Sequence, residues 1–125
     1  MMRHTIVAML AMAGMAVSAT PGFAGTVFDG TYRGASTVTS GSEANCGRNN
    51  GSMTRTVKDG TFEYNWNPRE SGVIIVTIGD NGAVSGTKTY GRNLRVDASG
   101  TATPAGLEID LKGRECTRHL SLKKR

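Results

Sequence analysis

From Phe28 to Lys123 apolar and polar residues alternate in short runs between glycine-rich turns, and no run keeps the three-to-four-residue spacing of an amphipathic helix. A period of two sends successive side chains to opposite faces of a strand, so a chain patterned this way folds as sheet. Eight strands are predicted: Phe28 to Val38, Ser52 to Lys58, Thr61 to Asn67, Gly72 to Ile78, Ala83 to Tyr90, Asn93 to Gly100, Gly106 to Lys112 and Arg114 to Lys123. Most of the connections are too tight for parallel crossovers, which need a dozen residues or more. The expectation is an antiparallel meander closed as a small up-and-down barrel, with a two-sheet sandwich as the alternative. Closure is favoured because it removes exposed strand edges.

The turns set the register. In SMTRTVKDGTFEYNW, Asp59-Gly60 suits a two-residue turn with positive φ at both positions. Counting outward pairs Lys58 with Thr61, Val57 with Phe62, Arg55 with Tyr64 and Met53 with Trp66. One face of this hairpin is therefore Met53, Arg55, Val57, Phe62, Tyr64 and Trp66, which is core or ligand surface; the other is polar. In VIIVTIGDNGAVSGTKTY a three-residue loop, Asp80 to Gly82 with Gly82 left-handed, sets Ile78 opposite Val84. Leu107, Ile109 and Leu111 alternate with Glu108, Asp110 and Lys112, the pattern of a half-buried strand. Leu94, Val96 and Ala98 repeat it, and Leu120 and Leu122 fall in phase with Cys116.

The first 24 residues read differently. A basic head (Arg3, His4), an apolar run from Ile6 to Val17 and small residues before Ala19 and Ala24 have the layout of a secretory signal peptide, with cleavage expected after Ala24 or, failing that, Ala19. The apolar run is shorter than the roughly 20 residues a membrane-crossing helix needs. Residues 25–125 then form one all-β domain, periplasmic or secreted, with no membrane span. Membrane-spanning barrels are disfavoured by the short, aromatic-poor strands.

Export bears on the cysteines. In an oxidising compartment Cys46 and Cys116 are expected to pair, closing a loop of about 70 residues worth about 4 kcal/mol on the chain-entropy account. A metal centre is not expected: structural zinc takes about four ligands, and after the leader leaves only His119, Cys46 and Cys116 are on offer beyond carboxylates. No cofactor motif is present.

The net charge is +5, and the excess gathers at the C-terminus as Lys112, Arg114, Arg118, Lys123, Lys124 and Arg125 against Glu115. Such a field attracts an anionic component of the cell envelope or an acidic protein, although lysines and arginines there also suit an edge strand protected against sheet pairing. Specific nucleic-acid binding is not expected, because the aromatic platforms it uses are committed to the core. A second candidate is a pocket at the barrel mouth formed by Arg55, Tyr64 and Trp66, suited to a small anionic ligand.

Catalytic templates do not assemble. A nucleophilic triad has only His119 for its base. A glycosidase pair would have to come from Glu63, Glu70, Glu108, Asp110 and Glu115, which carry no motif. The expected function is thus a non-catalytic exported binding module working through the basic C-terminal strand and loops. A small-ligand carrier is the first alternative and a carboxylate-based envelope hydrolase the second.

Overall fold

The computed structural model describes residues 25–66, 72–91 and 94–125, the side chains of Glu43 and Asn45 excepted. The leader expected over residues 1–24 lies outside these, as do Glu70 and the ends of two predicted strands at Asn67 and Asn93. The elements are β1 (Gly30–Ser40), α1 (Glu43–Cys46), β2 (Asn50–Val57), β3 (Thr61–Tyr64), β4 (Ile74–Ile78), β5 (Ala83–Tyr90), β6 (Leu94–Thr103), β7 (Gly106–Lys112) and β8 (Thr117–Lys124). All eight predicted strands are present. An element the pattern did not predict is α1, a single turn in which the Cys46 N–H donates to Ser42 O at 2.8 Å. Four residues are too few to show a helical period.

The strands form one antiparallel sheet in the order β2-β1-β8-β7-β6-β5-β4-β3, curled into a nearly closed barrel rather than two stacked sheets. Eight cross-strand pairs between β1 and β8, from Tyr32–Lys124 to Ser40–Thr117, join the first and last strands. The inner face is the predicted one. Ile74, Val76, Ile78, Val96, Leu107, Ile109, Leu111, Leu120 and Leu122 are fully buried, while Glu108, Asp110 and Lys112 between them are exposed.

Both key turns behave as their residues demand. Asp59 and Gly60 have φ of 54° and 75°, and Lys58 and Thr61 exchange backbone hydrogen bonds of 3.0 and 3.1 Å. The Asp29 carboxylate accepts from the Asp59 and Gly60 N–H groups at 2.8 and 2.9 Å, so the segment before β1 fixes this turn from below. Asp80 to Gly82 forms the three-residue loop, with Ile78 opposite Val84 and Gly82 at φ 88°. A side chain at Gly82 would also strike Ala102 O.

One expectation fails in an informative way. Beyond Lys58–Thr61 the β2–β3 hairpin does not zip: β2 pairs with β1 and β3 with β4, so these two strands are the edges of the sheet. Val57–Phe62, Arg55–Tyr64 and Met53–Trp66 share the inner face as expected, but they are not ladder partners. Side chains close the seam instead. The Arg55 guanidinium lies over the Tyr64 ring at 5.5 Å, and its Nη1 donates to Thr54 O at 2.8 Å, an acceptor on the edge where β3 would have bonded. Tyr64 Oη reaches past β2 to Ser36 Oγ on β1 at 3.0 Å. A charge over an aromatic face and buried hydroxyl contacts thus replace the missing ladder.

The barrel end bearing the Asp59–Gly60 turn is covered by residues 25–29, with Phe28 against the core and Tyr32 Oη donating to Phe28 O at 2.6 Å. The opposite end carries α1 and the disulfide. Cys46 and Cys116 are joined there, their Cα atoms 5.5 Å apart. Among the described residues no helix is long and apolar enough to cross a membrane.

Candidate functional site

The six basic residues that cluster in sequence do not cluster in space. β8 runs from the disulfide end to the turn end, so Lys112 and Arg114 lie at one end and Lys123, Lys124 and Arg125 at the other, on the order of 20 Å away at strand rise. Arg118 leaves the surface altogether, at 4% exposure. Its Nε and Nη2 donate to Cys46 O at 3.1 and 2.7 Å, Nη2 also to Arg48 O at 2.7 Å, and Nη1 to Ser36 Oγ at 2.7 Å. Far from awaiting an anion, this planar fork pins the α1 loop to the barrel beside the disulfide. Its inward direction follows from parity: Cys116, Arg118, Leu120 and Leu122 are in phase.

Strand pairing supplies a basic neighbour that sequence distance concealed. Arg33 of β1 stands directly opposite Lys123 of β8, and Arg125 follows two residues on, with its N–H donating to Thr31 O at 3.0 Å. Arg33, Lys123 and Arg125 are all exposed. Like charges facing each other across a ladder are destabilising. Arg33 Nη2 turns away to Ser52 Oγ at 3.2 Å, which leaves Lys123 facing solvent. Lys124 belongs to the inner row, with Nζ 6.0 Å from the centre of the Tyr32 ring.

A second constellation lies on the same outer surface. His119 stands opposite Asp110 in the β7–β8 ladder and beside Glu108. Its Nδ1 meets Asp110 Oδ1 at 2.8 Å and its Nε2 meets Glu108 Oε1 at 2.7 Å. Ser121 Oγ donates to the other Glu108 oxygen at 2.7 Å. Hydrogen bonds to Asp110 and Glu108 raise the His119 pKa above its ordinary 6.5 against the opposing effect of burial, and the charges of the two carboxylates add to the rise. Glu108 is pushed up by burial, but the hydrogen bonds from His119 and Ser121 and the charges of His119 and Lys123 bring it below its ordinary 4.5.

These geometries limit the chemistry. The two carboxylates sit on opposite edges of the imidazole, so they do not converge with it on one point, and no metal-binding group of three such side chains occurs among the described residues. Ser121 bonds to Glu108 rather than to His119, and both ring nitrogens are engaged, so no base is aimed at a nucleophile. Of the other candidate carboxylates, Glu63 and Glu115 are exposed away from this cluster. A glycosidase acid needs its pKa raised, whereas that of Glu108 is lowered.

Arg55 and Tyr64 are brought together as expected, but the rings serve the core. Tyr64 and Trp66 are 6% and 3% exposed, and the Trp66 ring packs over Gly113.

The His119 cluster also sets a stability profile. Because its folded pKa is raised, its ion pairs contribute fully below about pH 6.5, and that contribution is lost as pH rises through the folded value. The lowered Glu108 pKa has the reverse sign: its contribution is present above about 4.5 and lost as pH falls through the folded value. Thermal melts across pH should therefore peak on the mildly acidic side, and His119→Gln should remove the alkaline decline. An unchanged alkaline decline in that variant would contradict the assignment.

No family model matches this chain, and the searches of curated proteins and of solved structures found no similar protein.

Proposed function

We propose that the protein is an exported, non-catalytic binding module that holds an anionic partner on the outer face of β1 and β8. The observation that carries this reading is the Arg33–Lys123 cross-strand pair, with Arg125 beyond it. The simpler role for these cations, guarding an edge strand, does not apply here, because β8 lies between β1 and β7, while the actual edges are β2 and β3, with Thr54, Thr56, Thr61 and Glu63 outward. A like-charge pair inside the sheet costs stability and is well suited to a bound anion that neutralises it.

The character of the surface supports one kind of partner over others. Val27 and Ile75 are the large apolar side chains exposed among the described residues, so the face lacks the aromatic anchors of a protein hot spot and the stacking platforms of a single-strand binder. Hydroxyls of Ser52, Thr54 and Thr31 surround Arg33 on neighbouring positions. Polar and basic, this surface fits an acidic polymer of the envelope, such as a sulfate- or phosphate-bearing glycan. The disulfide is compatible with such an oxidising location.

Retention on immobilised dextran sulfate tests this. The protein should bind at low salt and elute as ionic strength rises. Arg33→Gln with Lys123→Gln should weaken binding about tenfold, in keeping with the loss of two exposed charge contacts. Lys112→Gln with Arg114→Gln, at the far end of β8, should change it less than twofold. Equal losses from both pairs would refute a localised site.

A further inference from the structure

We propose that anion binding on the β1–β8 face is proton-linked through His119, the face holding its ligand more tightly when the imidazole is charged. This rests on the anion-binding reading and adds its regulation. The connection is short. Lys123 and Ser121 are successive outward residues of β8; Ser121 Oγ donates to Glu108 Oε2 at 2.7 Å; Glu108 Oε1 meets His119 Nε2 at 2.7 Å. Asp110 closes the chain on the other ring nitrogen at 2.8 Å.

A doubly protonated imidazole donates to both carboxylates at once. A neutral one carries a single N–H, so one carboxylate then faces a nitrogen lone pair and is released. Asp110 is directly opposite His119 in the ladder, whereas Glu108 reaches over from the position opposite Ser121. Glu108 is the longer of the two, and once the imidazole lets go its carboxylate pivots on the Ser121 hydroxyl, the outward neighbour of Lys123. The charge of Lys123 already acts on its carboxyl. On deprotonation of His119, Glu108 therefore becomes an internal competitor for Lys123, and the surface gains one uncompensated negative charge beside the ligand.

The neighbouring strands hold no rival for this role. Facing His119, Ser121 and Lys123 from β1 are Thr37, Ala35 and Arg33. From β7 they are Asp110, Glu108 and Gly106, with Lys112 one step beyond, opposite Thr117. Behind Asp110 and Glu108 stand Ser99 and Thr101 of β6. His119 is the one member of this set whose ordinary pKa lies near neutrality.

The experiment uses the oxidised protein and dextran sulfate, whose ester groups do not titrate near neutrality, at constant low ionic strength from about pH 5.5 to about pH 8.5. Wild-type affinity should fall about threefold across this range, the effect of one nearby unit charge within a screening length. His119→Gln and Glu108→Gln should each flatten the profile. Linkage is reciprocal, so the polymer should raise the midpoint of the His119 imidazole titration followed by NMR. Wild-type binding that is insensitive to pH, or an equal slope in His119→Gln, would overturn the linkage while leaving the anion site standing. Absence of wild-type binding at every pH would overturn both.

Discussion

Replacing Cys46 and Cys116 together by alanine lowers the stability of the folded chain by about 4 kcal/mol, read from urea unfolding extrapolated to water, with the slope rising as the untied unfolded chain expands. The two residues are 70 apart in sequence, so the covalent tie removes a long loop from the unfolded ensemble, and for a single small barrel that is a large share of the total. Reducing the wild-type protein should reproduce the loss, and reductant should leave the alanine variant unchanged. The folded state keeps other holds on the same segment: Val38 N–H donates to Asn49 Oδ1 at 2.8 Å, and Arg118 grips Cys46 O and Arg48 O. The variant therefore still folds, and a loss below about 1 kcal/mol would mean that the tie does not constrain the unfolded chain as the entropy account requires.

The second large effect is at Arg118. Arg118→Met keeps an unbranched apolar stem and removes the guanidinium with every donor, leaving Cys46 O, Arg48 O and Ser36 Oγ without these contacts near the disulfide. The expected cost is about 3 to 5 kcal/mol, several buried hydrogen bonds to a charged group being lost together. Arg118→Lys should recover only part of this, since one ammonium cannot span two carbonyls and a hydroxyl in a plane. Combined with the alanine pair, Arg118→Met should cost less than the sum of the separate losses, because both features fix the α1 loop. Strict additivity would show that they act on different structure, and a fully stable Arg118→Met would show that the carbonyls are satisfied without the guanidinium.

What the residues reveal before folding follows from the range of the forces involved. Alternation is local, so the eight strands and the inner row from Ile74 to Leu122 could be read directly. So could the turns, because positive φ at Asp59, Gly60 and Gly82 is a demand on single residues. Closure is not local. Arg33 and Lys123 are 90 positions apart and become neighbours only because β1 meets β8. The basic tail looked continuous for the same reason, since sequence proximity hides the length of a strand. Two further features were within reach. Arg118 shares the parity of Leu120, and His119 that of Ser121; with β7 antiparallel to β8, an exposed histidine beside a strand bearing Glu108 and Asp110 is a natural ion-pair partner. The unzipped β2–β3 hairpin could not be read from turn chemistry, because it depends on how the Arg55, Tyr64 and Ser36 side chains meet once the barrel has curled.

That hairpin gives the wall a built-in line of weakness parallel to the barrel axis. Between β1 and β8, widening the barrel must rupture a row of eight residue pairs; between β2 and β3, beyond the Lys58–Thr61 bridge, it parts a ring from a guanidinium and one hydroxyl from another. Amide protons bordering this slit should be the first in the sheet to trade with solvent, while those at the β1–β8 join persist until the whole molecule comes apart.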